Sequence, residues 1–335
     1  MNSHWPALDD IRVAAKRIQG LAQRTPMVPS FGLSRAREAD VRIKLESTQP
    51  TRAFKVRGAA NVILSHENID PAKGVVAYST GNHGRAVTYV AAQLGLPATV
   101  CMSRNTTVDK QVALRSMGAR VQIGGDSQDD AGEQARSYES AGALLVDPIN
   151  DPLTTAGQGT IGLEIVEDWP EVDTVVVPVS GGALMAGIAQ AVKSLLPEAR
   201  LIGVSMDRGA AMYESLRAGR PVTVPEVESL ADSLQGGITE TNDHSFAMVR
   251  ELMDELVLVT EEEIGVAMAE AVIEERLMLE GAGATPIAAL IHRDRELFGN
   301  RIALVATGAL VGHETLITQV RNHEARVRQL LEIGH

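Results

Sequence analysis

A single cysteine, Cys101, occurs in the 335 residues. A lone thiol excludes an intrachain disulfide and any multi-cysteine metal site, which fits a reducing compartment. Aromatic residues are scarce at 3%, so the core has to be built from short apolar side chains, as in a packed α/β protein. Positive charge is in deficit: 31 Lys and Arg face 43 Asp and Glu, for a formal net charge of -12. That balance argues against a nucleic-acid phosphate surface and against an anionic membrane. No stretch offers the roughly 18 uninterrupted apolar residues of a membrane span, and the first residues contain acids and lack the apolar centre of a signal peptide. The expectation is a cytoplasmic protein whose partner is a small molecule.

What is present is a chain long enough, at 44% apolar side chains, to bury a large core, and two lobes suit that length better than one. Short β-rich runs at 41–45, 74–78, 98–102 and 120–123 alternate with helical patterns such as 84–94 and 108–117. The rhythm resumes with strand-like runs at 174–179, 201–205 and 301–306, and with a long helical pattern over 261–279. Alternation of this kind predicts parallel sheets covered by helices. The stretch 147–152 is the best candidate for a linker.

Four segments carry possible chemistry. In the first, Thr51-Arg-Ala-Phe-Lys-Val-Arg-Gly-Ala59, Lys55 sits among small and apolar residues at a helix start. Desolvation, with Arg52 and Arg57 nearby, would disfavour its charged form and leave an amine able to condense with an aldehyde. Alone, such a lysine is more often a solvated surface group. The second, Ser79-Thr-Gly-Asn-His-Gly84, lies between a strand and a helix, where N–H groups and hydroxyls suit a carboxylate. A plain capped turn is the competing reading. The third, Val179-Ser-Gly-Gly-Ala-Leu184, follows an apolar strand and opens a helix, the arrangement of a phosphate cradle. It has neither the Walker spacing nor the dinucleotide fingerprint. In the fourth, Ala306-Thr-Gly-Ala309, Thr307 ends the last apolar strand, where its hydroxyl can meet a ring nitrogen at the carboxyl edge of the sheet.

The order of these segments, with Ala156-Gly-Gln-Gly-Thr160 between the second and third, resembles the fold-type-II pyridoxal-phosphate family of threonine dehydratases and serine racemases over nearly the whole chain. Within it, the closest resemblance is to the hydroxyectoine utilisation dehydratases, through Val100-Cys-Met-Ser-Arg104, Gly203-Val-Ser-Met206, Arg208-Gly-Ala-Ala-Met212 and Glu280-Gly-Ala-Gly-Ala284. The resemblance implies an α/β fold of open twisted sheets, like the β subunit of tryptophan synthase. Residues 1–73 and 150–335 would form a large cofactor-binding domain and residues 74–149 a small mobile one, in a homodimer. It makes Lys55 the lysine that carries pyridoxal 5'-phosphate, places Phe54 against the cofactor ring and Asn82 on its phenolic oxygen, and gives the phosphate to Ser180, Gly181, Gly182, Ala183 and Leu184. Thr307 would meet the pyridine nitrogen, and Ser79, Thr80, Gly81 and His83 would surround the substrate carboxylate.

This sequence departs from the common pattern in several places. Arg52-Ala53 replaces Gly-Ser before Phe54-Lys55, which puts a cation at the mouth of the site that would touch substrate or phosphate. Thr80 retains a hydroxyl where racemases use a serine, so it counts as a catalytic candidate. Ser180 and Ala183 interrupt an all-glycine phosphate loop. Ser205 stands where serine racemases have a cation-binding glutamate, so no structural metal is expected there.

The implied reaction is β-elimination of water from a small β-hydroxy amino acid with release of ammonia, Lys55 taking the α-proton. It needs a primary α-amine, an α-hydrogen and a β-hydroxyl. Hydroxyectoine itself fails, because its α-nitrogen belongs to a cyclic amidine, whereas the ring-opened, deacylated 3-hydroxy-2,4-diaminobutyrate qualifies. A threonine or serine dehydratase or a serine racemase would use the same site. A non-catalytic ligand-binding protein is the alternative from a different class.

Overall fold

The computed structural model describes residues 5–79 and 81–332. In chain order its strands are β1 (Met27–Pro29), β2 (Asp40–Leu45), β3 (Val75–Tyr78), β4 (Ala98–Met102) and β5 (Arg120–Ile123). They continue with β6 (Leu144–Leu145), β7 (Thr174–Pro178), β8 (Arg200–Met206), β9 (Glu255–Val259) and β10 (Arg301–Ala306). Six form one sheet in the order β1-β2-β10-β7-β8-β9, and four form a second in the order β5-β4-β3-β6. Every neighbouring pair is parallel except β1 with β2.

Side-chain alternation explains how the larger sheet holds helices on both faces. Val175 and Val177 of β7, with Ala303 and Val305 of β10, pack against the helices Pro152–Asp168 and Ala183–Leu195. Val176, Ile302 and Leu304 point the other way, onto Glu261–Ile273 and Gly281–His292. Successive residues face opposite sides, so a strand buried on both reads as a continuous apolar run such as Val175-Val-Val177. The first pair of helices touch almost backbone to backbone, since a Cβ on Gly187 would lie 2.3 Å from the Thr155 carbonyl oxygen.

The helix expected over 261–279 stops at Ile273. Arg276 adopts φ 58°, and the Leu277 N–H returns to the Ala271 carbonyl at 2.8 Å, closing the helix end and reversing the chain. The following helix, Gly281–His292, is thereby a separate element with Glu280 at its N-cap. The 147–152 stretch joins β6 to the helix Pro152–Asp168: Asp147 Oδ1 accepts from the N–H groups of Ile149 and Asn150, and Asp151 caps the helix. Among the described residues, no helix is long and apolar enough to cross a membrane.

Behind the helix Val56–Ser65 lies a set of buried charges. Arg57 grips Glu46 through Nε and Nη2, each at 2.8 Å, and Glu164 through Nη1 at 2.6 Å and Nη2 at 2.9 Å. Lys44 of β2 donates to Glu164 at 2.6 Å and to the Thr25 carbonyl at 2.7 Å. Thr25 Oγ1 donates to Glu46 and Thr160 Oγ1 accepts from Arg57. Two cations and two carboxylates are thus satisfied together and tie the amino-terminal segment, β2, the Lys55 helix and the helix Pro152–Asp168 to one another. Arg57 holds the Glu46 carboxyl below its ordinary 4.5 against the opposing effect of burial.

Removing one member of such a buried pair strands the other charge, at a cost of about 3–5 kcal/mol. We therefore expect Arg57→Met to lower unfolding free energy by that order in denaturant titrations at neutral pH. Because Glu46 is depressed in the wild type, its contribution is present above the ordinary carboxylate range and is lost on acidification. The gap between variant and wild type should narrow as pH falls below about 4.5.

Candidate functional site

The carboxyl ends of β3, β7 and β10 converge on a cavity of about 1130 Å³, whose walls include Lys55, Asn82, His83, Ser180 and Thr307. Openings of this kind at the carboxyl edge are where parallel sheets bind ligands.

Lys55 reaches the wall because the chain before it is pinned to the end of β10. Arg52 sits in left-handed backbone at φ 62°. Its carbonyl accepts from Ala309 N at 3.0 Å, Ala53 bridges Gly308, and Phe54 N donates to the Thr307 carbonyl at 3.0 Å. The helix Val56–Ser65 starts immediately afterwards. Burial pushes the Lys55 pKa down to about 8, with Asp147 acting in the opposite direction. The Lys55 Nζ lies 5.1 Å from the centroid of the Phe54 ring, which also lines the cavity.

Two expectations about neighbouring cations are corrected here. Arg57 is fully buried and neutralised by Glu46 and Glu164, so it does not depress Lys55; desolvation does. Arg52 is solvent-exposed and is not among the residues that line the cavity, in place of the expected position at its mouth.

The 180–184 loop is shaped by the left-handed Gly182, φ 101°, which opens the helix Ala183–Leu195. Ser245 Oγ, at 2.7 Å, and Asn242 Nδ2, at 3.3 Å, occupy the Gly181 carbonyl. The main-chain N–H groups from Ser180 to Met185 find no protein partner among the described residues; the first helical bond runs from Ala186 N to the Gly182 carbonyl. This is an anion-binding arrangement by both geometry and dipole.

On the opposite wall, Ser79 Oγ accepts from Gly81 N at 3.1 Å, and Gly81 caps the helix Asn82–Gln93. Thr80 lies outside the described residues. His83 Nε2 donates to the Val146 carbonyl at 2.7 Å, while its buried Nδ1 has no partner among the described residues. Burial, with Lys55 adding to it, pushes its pKa down to about 3. The ring is therefore neutral with no side-chain N–H to spare, and only its main chain can donate to a carboxylate.

The structure adds residues the motifs did not mark. Asn82 Nδ2 donates to Glu280 Oε1 at 2.8 Å and to Ser233 Oγ at 3.3 Å. Glu226, Glu228, Asp232 and Glu261 also line the cavity, against Lys110 and Arg208. Lys110, on the helix Val108–Ser116, pairs with Asp232 at 2.9 Å, joining the side of the four-stranded sheet to the turn Asp232–Leu234. Glu226, Glu228 and Asp232 come from a largely irregular stretch with no motif, so only the fold reveals that they face the site.

The family described as "Pyridoxal-phosphate dependent enzyme" matches residues 18–308. The chain belongs to that family. A Sinorhizobium fredii protein named "Putative threonine dehydratase" is 48% identical over 303 residues, 90% of this chain and 91% of the relative. A Thermotoga maritima "L-threonine ammonia-lyase" is 39% identical over 302 residues, 90% of this chain and 75% of the relative. The structure of maize serine racemase superposes with a TM-score of 0.86 at 30% identity, covering 97% of this chain and 100% of the other. The fold is the α/β fold-type-II arrangement, and the chain is a threonine dehydratase-like enzyme that uses pyridoxal phosphate.

The residues present fit that cofactor on their own terms. An amine with lowered pKa suits its aldehyde, and a loop of six free N–H groups at a helix start suits its phosphate. The neutral amine is the nucleophile, so uptake of pyridoxal phosphate by the apoprotein should speed up as pH rises through about 8, instead of near the ordinary lysine value of about 10.4. Stopped-flow absorbance would measure this, and Lys55→Ala should show no borohydride-fixable cofactor.

Proposed function

We propose that this enzyme removes water, with release of ammonia, from a small β-hydroxy amino acid that carries a second amine, as in hydroxyectoine degradation. The observation that carries the dehydratase reading is the buried, weakly basic Lys55 amine set between two helix starts that each suit an anion. The two relatives described above, named for action on threonine, support the same reaction type. The second amine is supported by the carboxylates Glu226 and Glu228 in the cavity wall, which suit a distal ammonium better than the methyl group of threonine. The compound 3-hydroxy-2,4-diaminobutyrate has the α-amine, α-hydrogen, β-hydroxyl and extra cation required.

In this reading the Ser180–Leu184 loop holds the cofactor phosphate, Phe54 lies against the ring, Thr307 meets the pyridine nitrogen and Asn82 the phenolic oxygen. The main chain at Ser79, Gly81 and His83, with Thr80, holds the substrate carboxylate. The Lys55 amine would be the base that takes the α-proton of the substrate. The bound cofactor supplies delocalisation of the charge left at the α-carbon. Thr307, a neutral hydroxyl, would hold the pyridine nitrogen without supplying a charge there.

Residues 74–149 would act as a small domain closing on the large one formed by 1–73 and 150–335, excluding water, and the Lys110–Asp232 pair crosses that line. Phe31, 81% exposed, and Met278, 68% exposed, lie on segments tied by the Ser30–Glu275 hydrogen bond and support a homodimer. The acidic net charge and lone cysteine support a cytoplasmic site of action.

Purified enzyme should form keto acid and ammonia from 3-hydroxy-2,4-diaminobutyrate with a kcat/KM at least about tenfold above that for L-threonine or L-serine, the discrimination expected of one paired charge. Efficient use of threonine with no turnover of the diamino acid would remove the second-amine assignment. Loss of optical activity without keto acid would favour a racemase.

A further inference from the structure

The Glu280-Gly-Ala-Gly-Ala284 motif marks a resemblance but has no role in the reaction as derived so far. Glu280 is 1% exposed and caps the helix Gly281–His292, yet its carboxylate lines the cavity. Oε2 accepts from Leu310 N at 3.0 Å and Oε1 from Asn82 Nδ2 at 2.8 Å. Its own N–H returns to the Gly308 carbonyl, one residue beyond Thr307. A carboxylate can only accept, so the Asn82 nitrogen has to face it and the amide oxygen is turned away. Turned over, Asn82 would bring Oδ1 against Oε1, two acceptors in contact. Among the described residues, the second hydrogen on Nδ2 is engaged by the longer, 3.3 Å bond to Ser233 Oγ, which leaves it easily redirected.

We propose that Glu280 is a positioning residue that acts through Asn82, fixing the amide so that it offers a hydrogen, and not a lone pair, to the phenolic oxygen of the cofactor. The inference rests on the pyridoxal-phosphate reading and extends it to a residue outside the four motifs. Asp232 is the charged neighbour that bears on Glu280; both it and burial push the carboxyl up to about 7, and the Lys110 ammonium in turn pairs with Asp232. Ser233, from the same turn, contributes a further hydrogen bond. The hydrogen bonds from Leu310 N–H, Asn82 Nδ2 and Ser233 oppose that rise and favour the ionised, accepting form, the one that holds the Asn82 amide nitrogen toward Glu280.

The test uses wild type, Glu280→Gln, Asn82→Ala and the double variant, each stripped of cofactor and titrated with pyridoxal phosphate. The readouts are the dissociation constant and the visible absorbance maximum of the bound cofactor. Glutamine keeps the volume but can present either end of its amide, so Asn82 is no longer held one way round. Loss of a hydrogen bond to a charged group corresponds to roughly a tenfold or greater change. Glu280→Gln should therefore weaken cofactor binding about tenfold and displace the band, while adding Glu280→Gln to Asn82→Ala changes neither quantity further. Wild-type values in Glu280→Gln, or full additivity in the double variant, would overturn the inference. Should Glu280→Gln fail to fold, Glu280→Asp is read against Asn82→Ala in the same way: additivity again overturns, and non-additivity supports. A wild-type protein that takes up no pyridoxal phosphate would defeat the functional reading itself, a separate outcome from any of these.

Discussion

Two buried ion pairs that share one arginine set the position of everything that happens at Lys55. Arg57 cannot leave Glu46 and Glu164 without leaving charges in the protein interior, and Glu164 is held again by Lys44. Each partner belongs to a different part of the chain, so the geometry is satisfied only when β2, the Lys55 helix and the helix Pro152–Asp168 have all docked. Buried charge is weak as a source of net stability but strong as a condition on arrangement. Two residues along from the anchored guanidinium, Lys55 inherits that fixed position without being touched by any of the four charges.

The same separation accounts for the chemistry of the amine. A lysine lowered by neighbouring cations would be sensitive to every ion entering the cavity. Lysine lowered by exclusion of water is sensitive to how well the site is closed, and only the distant Asp147 acts against it. The main chain suits an anion on both sides, where dipoles from the helices Asn82–Gln93 and Ala183–Leu195 are fixed by the fold and cost no side-chain ordering. The side-chain charges in the cavity wall are partly paired with one another, as Lys110 is with Asp232.

Much of this was legible in sequence because it depends on local pattern. The apolar runs of β7, β8 and β10 and the glycine loop after β7 announce themselves within a few residues, and Lys55, Asn82, the Ser180–Leu184 loop and Thr307 do share one cavity. The helix end at Ile273 was not legible, since no glycine or proline marks it and the turn depends on Arg276 accepting left-handed backbone. Arg57 and Arg52 were misjudged for the opposite reason: closeness in sequence suggested influence on Lys55, whereas one side chain turns inward to carboxylates more than a hundred residues away in the case of Glu164, and the other outward to solvent. Glu280 and Asp232 belong to the site only through tertiary contacts, which spacing along the chain cannot show.

Cys101 lies at the centre of the four-stranded sheet, on β4 between β3 and β5, with no exposed surface and with burial pushing its thiol up to about 11. Since thiolate is the reactive form, the native sulfur is inert twice over, by access and by charge. It is also the only cysteine in the chain. Any thiol reagent that labels the protein is therefore timing an opening that exposes that one sheet, so the rate of labelling reads out its breathing as a built-in clock.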